Sequence, residues 1–338
     1  MTEKIDKSAI KNILVTRTDK LGDVILTLPL ISEIRRIFPD AKISFLVQSF
    51  LSDLLLGYED IDELIFIDKY PTCGERYDLI KAKAFDMVIN VFPDYELAAL
   101  FFTADIRHRV GTGYRWYSFL YNHKVKEHRK FCEKHEAQYN LNLLKSVTDE
   151  VKDEFNYKFK YTPFEKEALS VKLRQHNLDI SSGYIIIHPG SRSSARDIPL
   201  NTLTEFVELF IPEYYNLGIV LTGVKEESGT VGILINSIQK EKRVRIVNLC
   251  GILSLKELLI LIDNSKLFLS NSTGPIHIAG ALGKKIIGFY PNEAPVNDTR
   301  WGPLSPDAKI LNPKTPGGSM SEITSREIFD NAIFLLKK

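Results

Sequence analysis

Short, unbroken apolar runs alternate with segments of helical periodicity along this chain, and that alternation narrows its fold more than any other feature. Residues 13–16 (ILVT) form the first run. A polar turn, Arg17 to Lys20, separates it from Leu21-Gly22-Asp23 and a helical pattern ending at Phe38. Pro39-Asp40 stops that helix, and residues 42–47 (KISFLV) read as a second strand. Further strand-like runs cover residues 64–67, 87–91 and 106–110. Apolar strands separated by helices are the signature of a parallel sheet covered on both faces. A second series begins near Gly183, with strands at 184–188, 218–222, 243–248, 267–270 and 285–290. Helices are expected between them at 201–210, 254–263 and 273–282; Ser254, with Glu257 three residues on, supplies a capping box for the middle one.

The predicted fold class is therefore α/β, with two doubly wound, Rossmann-like domains facing each other across a cleft. A length of 338 residues suits two domains. Residues 149–182 lack strong strand signals and hold the expected junction, so the domains are drawn at residues 1–175 and 176–318. A Pro/Gly-rich stretch, 312–318, precedes a final amphipathic helix carrying Ile323, Ile328, Phe329, Ala332, Ile333 and Leu336. That terminal segment, 319–338, is expected to pack back on the N-terminal domain. Ligands of such sheets sit outside the carboxyl ends of the strands.

Composition removes several function classes. With 44% hydrophobic and 26% charged residues, the chain is neither disordered nor fibrous. Lys and Arg number 44 against 43 Asp and Glu, so no global field calls for nucleic acid. Cys73, Cys132 and Cys250 are too widely spaced for a zinc site or a disulfide framework and suit a reducing compartment. No run of 18 apolar residues occurs and the first residues do not resemble a signal peptide, so a cytoplasmic location is expected.

Four segments carry candidate chemistry. In Leu21-Gly22-Asp23, Gly22 allows a tight turn or close approach, and Asp23 lies in the first helical turn, where the helix dipole favours a carboxylate. Its bland reading is a helix-start stabiliser. Ser272-Thr273-Gly274-Pro275 follows a strand and opens a helix, so its backbone amides can receive a diphosphate. His277, one turn further in, is by itself a helix-packing histidine more often than a catalyst. Ser191, Arg192 and Arg196 follow another strand end, where the arginines can clamp phosphate oxygens; solvated loop arginines are the alternative. Residues 107–135 hold eight Lys or Arg, including Arg107, Arg109, Arg129, Lys130 and Lys134, against two acids. Six aromatic side chains are interleaved with them, as a site for a phosphorylated acceptor or an anionic membrane surface requires.

Taken together these segments resemble glycosyltransferase family 9, the lipopolysaccharide heptosyltransferase family. ILVTRTDKLGDVILTLPLISEIRRIFPDAKISFLV resembles its first strand, LGD turn and helix. HPGSRSSARDIPL, VLTGVKEE and SNSTGPIHIAGALGKKIIGFY resemble its later segments, so the likeness runs with gaps from about residue 12 to residue 304. The resemblance implies a GT-B transferase that inverts configuration and needs neither metal nor bound cofactor. It implies a nucleotide-sugar donor, ADP-heptose, on the C-terminal domain. The acceptor on the N-terminal domain would be a lipid-linked or oligosaccharide glycan, with peripheral contact at the cytoplasmic face of the inner membrane. It gives Asp23 the role of general base, and Arg196, Thr273 and Gly274 the diphosphate. Glu226 or Glu227 would face the nucleoside. Ser272 replaces the family's aspartate, which faces donor sugar hydroxyls, and Ile198 replaces its tryptophan. A dehydrogenase is disfavoured because neither domain carries a Gly-rich dinucleotide fingerprint with its acidic partner. Two alternatives stay open: a transferase using another nucleotide-sugar, and a non-catalytic sugar-nucleotide-binding protein of the same fold.

Overall fold

The computed structural model describes residues 5–191 and 195–338; Arg192 lies outside them. The chain divides into two compact units, Met1–Lys160 and Tyr161–Lys338. The boundary lies within the expected junction, 149–182, just before the helix Pro163–Arg174, which starts on a capping box of Thr162 with Glu165.

The first unit is built on six parallel strands: β1 (Asn12–Thr16), β2 (Lys42–Val47), β3 (Glu63–Phe66), β4 (Met87–Asn90), β5 (His108–Thr112) and β6 (His123–Val125). Their order is β3-β2-β1-β4-β5-β6, and Val15 is registered between Phe45 and Ile89 at the centre. These central strands are buried on both faces, which explains their unbroken apolar sequences. One face packs Leu14, Leu46 and Val88 against Leu97, Phe101 and Ile106. The helical pattern expected through Phe38 is two helices, Leu21–Ile25 and Leu28–Ile37. The second buries Leu30, Ile31 and Ile34, and carries Arg35 and Arg36 in its last turn, where cations complement the dipole. β6 was not anticipated, since three residues of mixed polarity give no period.

The second unit repeats the plan with β7 (Tyr184–His188), β8 (Gly218–Leu221), β9 (Ile246–Asn248), β10 (Leu267–Asn271), β11 (Ile286–Phe289) and β12 (Ala308–Leu311). Its order, β12-β11-β10-β7-β8-β9, is the first sheet's order read from the opposite edge. In both sheets the order reverses at one pair, β1/β4 and β7/β10, where a crevice opens at the carboxyl ends. Ser254 forms the expected capping box with Glu257. The C-terminal helix, Ser325–Lys337, departs from expectation. Ile328, Phe329, Ala332 and Leu335 belong to the core of the second unit, with Ile187, Phe206, Leu269 and Phe289. Its apolar stripe is covered by the helix Leu200–Glu213 and by β10 and β11. Among the described residues, no helix is long and apolar enough to cross a membrane.

Candidate active site

At the switch point of the first sheet, β1 ends in Thr16, whose hydroxyl donates to Asn90 Oδ1 on β4 (2.7 Å). The next residue, Arg17, is 3% exposed. Its Nε donates to Asp19 (2.7 Å), one terminal nitrogen to Glu136 (3.3 Å) and the other to Asp23. Asp23 stands in the first turn of Leu21–Ile25, beside the buried Gly22. Burial pushes its carboxyl up to about 6; Arg17 opposes that rise, while Asp19 and Glu136 reinforce it. Burial works against the Arg17 charge, yet Asp23, Asp19 and Glu136 together hold it above its ordinary value. A carboxylate that titrates near neutrality at the end of a central strand can accept a proton from a bound hydroxyl.

In the second unit, Asn271 ends β10 fully buried and grips the neighbouring loop at two points. Its Nδ2 donates to Pro189 O (2.7 Å) and its Oδ1 accepts from Ile198 N (3.0 Å). The HPG segment and the start of the Ile198-Pro199 turn are thereby fixed to the strand that leads into Thr273. Thr273 precedes the helix Gly274–Ala281 without capping it by its side chain; its hydroxyl instead meets Ser270 Oγ at 2.8 Å. The first amides of that helix therefore face outward with their dipole, the arrangement an anion uses. Ser272 is half-buried beside the Tyr290 hydroxyl, and His277 is buried in the same helix. Ser191 Oγ accepts from Ala195 N (3.3 Å). Arg196 is half-exposed and paired with Glu293.

The two glutamates separate clearly. Glu226 is exposed, whereas Glu227 is buried, accepts from Val224 N (2.9 Å) and lies against Gly190 and Gly223. His188, at the end of β7, bonds Thr222 through Nδ1 (3.0 Å), and burial lowers its imidazole to about 4.

The basic run folds less uniformly than its sequence reads. Arg109 turns inward: its guanidinium donates to the Leu120 (2.8 Å) and Ile106 carbonyls and lies 5.2 Å from the Phe102 ring centroid. Arg129 pairs with Glu136 and also reaches Asn140 (3.1 Å). Lys134 pairs with Glu127. Arg107 and Lys130 are exposed, Lys130 over the Phe131 ring. Sequence motifs assign no role to Arg17 or Glu136, and include Asn271 only as the residue before Ser272-Thr273-Gly274. Arg17 offered one signal, a charge directly after an apolar strand; Glu136 offered none, being 119 residues from its partner.

Comparison with known proteins gives the family and the fold. The model of glycosyltransferase family 9 (heptosyltransferase) matches residues 78–327. A Haemophilus influenzae protein whose name suggests a glycosyltransferase is 30% identical over 334 residues, 96% of this chain and 95% of that one. Lipopolysaccharide heptosyltransferase 3 of Escherichia coli is 23% identical over 80% of each chain. The structure of E. coli ADP-heptose lipopolysaccharide heptosyltransferase II superposes with a TM-score of 0.82 at 20% identity, covering 97% of this chain and 99% of the other. The GT-B class of fold expected from the sequence is thus the observed one. The chain belongs to glycosyltransferase family 9, the heptosyltransferase family, and is a transferase related to the lipopolysaccharide heptosyltransferases.

Proposed function

We propose that the protein transfers heptose from ADP-heptose, with inversion, to an anionic glycan of the lipopolysaccharide-core type, with Asp23 as general base. The observation that carries this reading is the Asp23 carboxyl at the carboxyl end of β1, raised to about 6 yet pinned by Arg17. At neutral pH it is ionised and still basic enough to take a proton. The acceptor oxygen attacks the anomeric carbon as its proton passes to Asp23. The bond from that carbon to the phosphate oxygen breaks, and its electron pair leaves on the diphosphate. Arg196 and the amides at the start of Gly274–Ala281 neutralise the departing charge, a role that needs no metal. Ser191 and His277 lie close by in sequence to this donor site, and Glu227, rather than the exposed Glu226, faces the nucleoside.

The acceptor side is supported by the exposed aromatic side chains beyond β4, β5 and β6. Trp116 (73% exposed) stacks near Tyr95, and Phe119 (67%) follows it. Tyr114 stacks on His128 beside Phe131, and Lys126 and Lys130 border them. Aromatic rings mixed with cations suit the headgroup level of an anionic membrane, where a lipid-linked acceptor is presented at the cytoplasmic face.

Ser272 favours a second reading, a different sugar on the same nucleotide scaffold, because no carboxylate stands at that position to meet sugar hydroxyls. The deciding experiment offers the purified protein ADP-heptose and other nucleotide-sugars in EDTA, with delipidated core oligosaccharide as acceptor. Heptose transfer by the wild type and none by Asp23→Asn supports the proposal. Transfer from another donor alone selects the second reading. Dependence on added Mg²⁺ or Mn²⁺ overturns the metal-free mechanism.

A further inference from the structure

Asp23 is held by a closed ring of hydrogen bonds that passes through two side chains, Glu136 and Asn140, of one distant helix. Its carboxylate accepts from Arg17, and Arg17 donates to Glu136 (3.3 Å), the first residue of the helix Glu136–Leu144. Glu136 also accepts from Arg129, which donates to Asn140 on the next turn (3.1 Å). Asn140 Nδ2 reaches Leu26 O (3.0 Å) and Thr27 Oγ1 (3.3 Å). The Thr27 hydroxyl returns to the backbone oxygen of Asp23 at 2.8 Å, which closes the ring. Side chain and main chain of Asp23 are therefore both tied to Glu136–Leu144, and nothing in the LGD motif encodes that tie.

We infer that Arg17 and Glu136 are positioning residues for the base: the helix Glu136–Leu144, acting through them, sets where the Asp23 carboxylate points and how readily it takes a proton. The inference rests on the reading of Asp23 as base. Arg17 meets three carboxylates with three different nitrogens, so its plane has little freedom to rotate. Glu136 is fully buried and receives both arginines, which makes it the anchor of that plane. Charge points the same way. Arg17 and Arg129 face three carboxylates, Asp19, Asp23 and Glu136, so these five groups carry one negative charge in excess. When Asp23 takes the acceptor's proton, the five become neutral together. Loss of Arg17 removes attraction for the ionised form of Asp23, and loss of the Glu136 charge removes repulsion against it, so the two changes act in opposite directions.

The test follows the Asp23 carboxyl by carbon NMR in full-length protein labelled at the aspartate carboxyl carbon, with Asp23→Asn identifying its signal. The pH dependence of kcat/KM is measured beside it. Glu136→Gln keeps size and an acceptor oxygen; it should move the Asp23 midpoint and the acid limb of the rate profile to lower pH. Its kcat at alkaline pH should fall roughly 10-fold, as expected for a weaker and less well-oriented base. Arg17→Lys keeps charge without the three-way fork and should lower kcat with a small upward displacement. Arg17→Met should move both midpoint and limb to higher pH; if it does not fold, the Lys and Gln variants still decide the matter. A merely structural role lowers stability and kcat without moving the midpoint. An unmoved midpoint, or displacement of both variants in one direction, with Asp23→Asn inactive, overturns the positioning role alone. Turnover retained in Asp23→Asn overturns the base and its positioning together.

Discussion

Glu227 occupies the space directly in front of Gly190. A β-carbon at residue 190 would lie 3.0 Å from Glu227 Cγ and closer still to its carboxylate, while one at Gly223 would lie 2.9 Å from Oε2 on the other side. Two glycines thus make room for one buried acid at the carboxyl ends of β7 and β8. Gly190→Ala should force Glu227 out of this seat and weaken ADP binding roughly 10-fold by titration calorimetry, about 1.4 kcal/mol. Glu226→Ala, at an exposed side chain, should leave Kd nearly unchanged. The reverse pattern would assign the nucleoside to Glu226.

Asp23 links activity to stability with a defined sign. Its carboxyl is raised to about 6 from an ordinary 3.8, so between these values the native state binds more protons than the unfolded chain. Stability therefore falls as pH rises through that window, and the full deficit is present above it. Asp23→Asn should be more stable than the wild type at alkaline pH by the order of 1–3 kcal/mol in urea melts, with the gain vanishing near pH 4. Its kcat should drop roughly 10²–10⁴-fold. Equal or lower stability of the variant at alkaline pH would show that Arg17 compensates the buried charge fully. His188 works in the opposite sense: its imidazole, lowered to about 4 from 6.5, is neutral in the fold, so its contribution is lost as pH falls through that range.

Asn271 satisfies a buried amide and a buried carbonyl at once. Asn271→Ala leaves both unpaired and should cost about 2–4 kcal/mol in denaturant unfolding, with reduced donor affinity. Asn271→Asp keeps the acceptor for Ile198 N but sets a carboxylate against Pro189 O. It should be worse than Ala at neutral pH and recover in acid. A mild effect of both variants would mean the loop holds its course without the side chain.

Arg196 pairs with Glu293 on an exposed surface, where such a pair contributes little to stability. Arg196→Ala should hardly change the Tm yet reduce both donor affinity and kcat. Arg196→Lys should retain part of each, since it keeps charge without the fork. Arg192→Ala, four residues earlier in the sequence, serves as the register control. Full loss there with a silent Arg196 would move the diphosphate contact to Arg192.

The aromatic and basic surface predicts membrane behaviour. Flotation with vesicles containing phosphatidylglycerol should recover the wild type, and vesicles of phosphatidylcholine alone should not. Trp116→Ser with Phe119→Ser should weaken flotation several-fold, and Lys130→Gln with Lys134→Gln should raise the KM for anionic acceptor at low salt. Arg129 is left intact because it belongs to the ring around Asp23. Wild-type flotation by the aromatic variant would reduce this face to ordinary solvated surface.

Much of the fold was legible because buried parallel strands must be apolar throughout. ILVT, KISFLV and YIIIH declared β1, β2 and β7, and the LGD and STGP turns fell where the strands end. Local chemistry also carried the Ser254 capping box, since both of its partners lie within one turn. The tertiary structure decided whatever depended on partners far apart in the chain. It buried Glu227 and left Glu226 exposed, because facing the sheet or solvent depends on which side of a short turn the neighbouring strands close. It turned Arg109 inward and joined Arg129 to Glu136, so a run that reads as one basic patch divides into structural and exposed cations. It placed the C-terminal helix on the second unit, because an apolar stripe specifies burial without naming the surface that provides it. Above all it built the ring around Asp23: a charge buried in low dielectric requires its counter-charges within a few ångströms, and only the folded chain brings Arg17 and Glu136 that close.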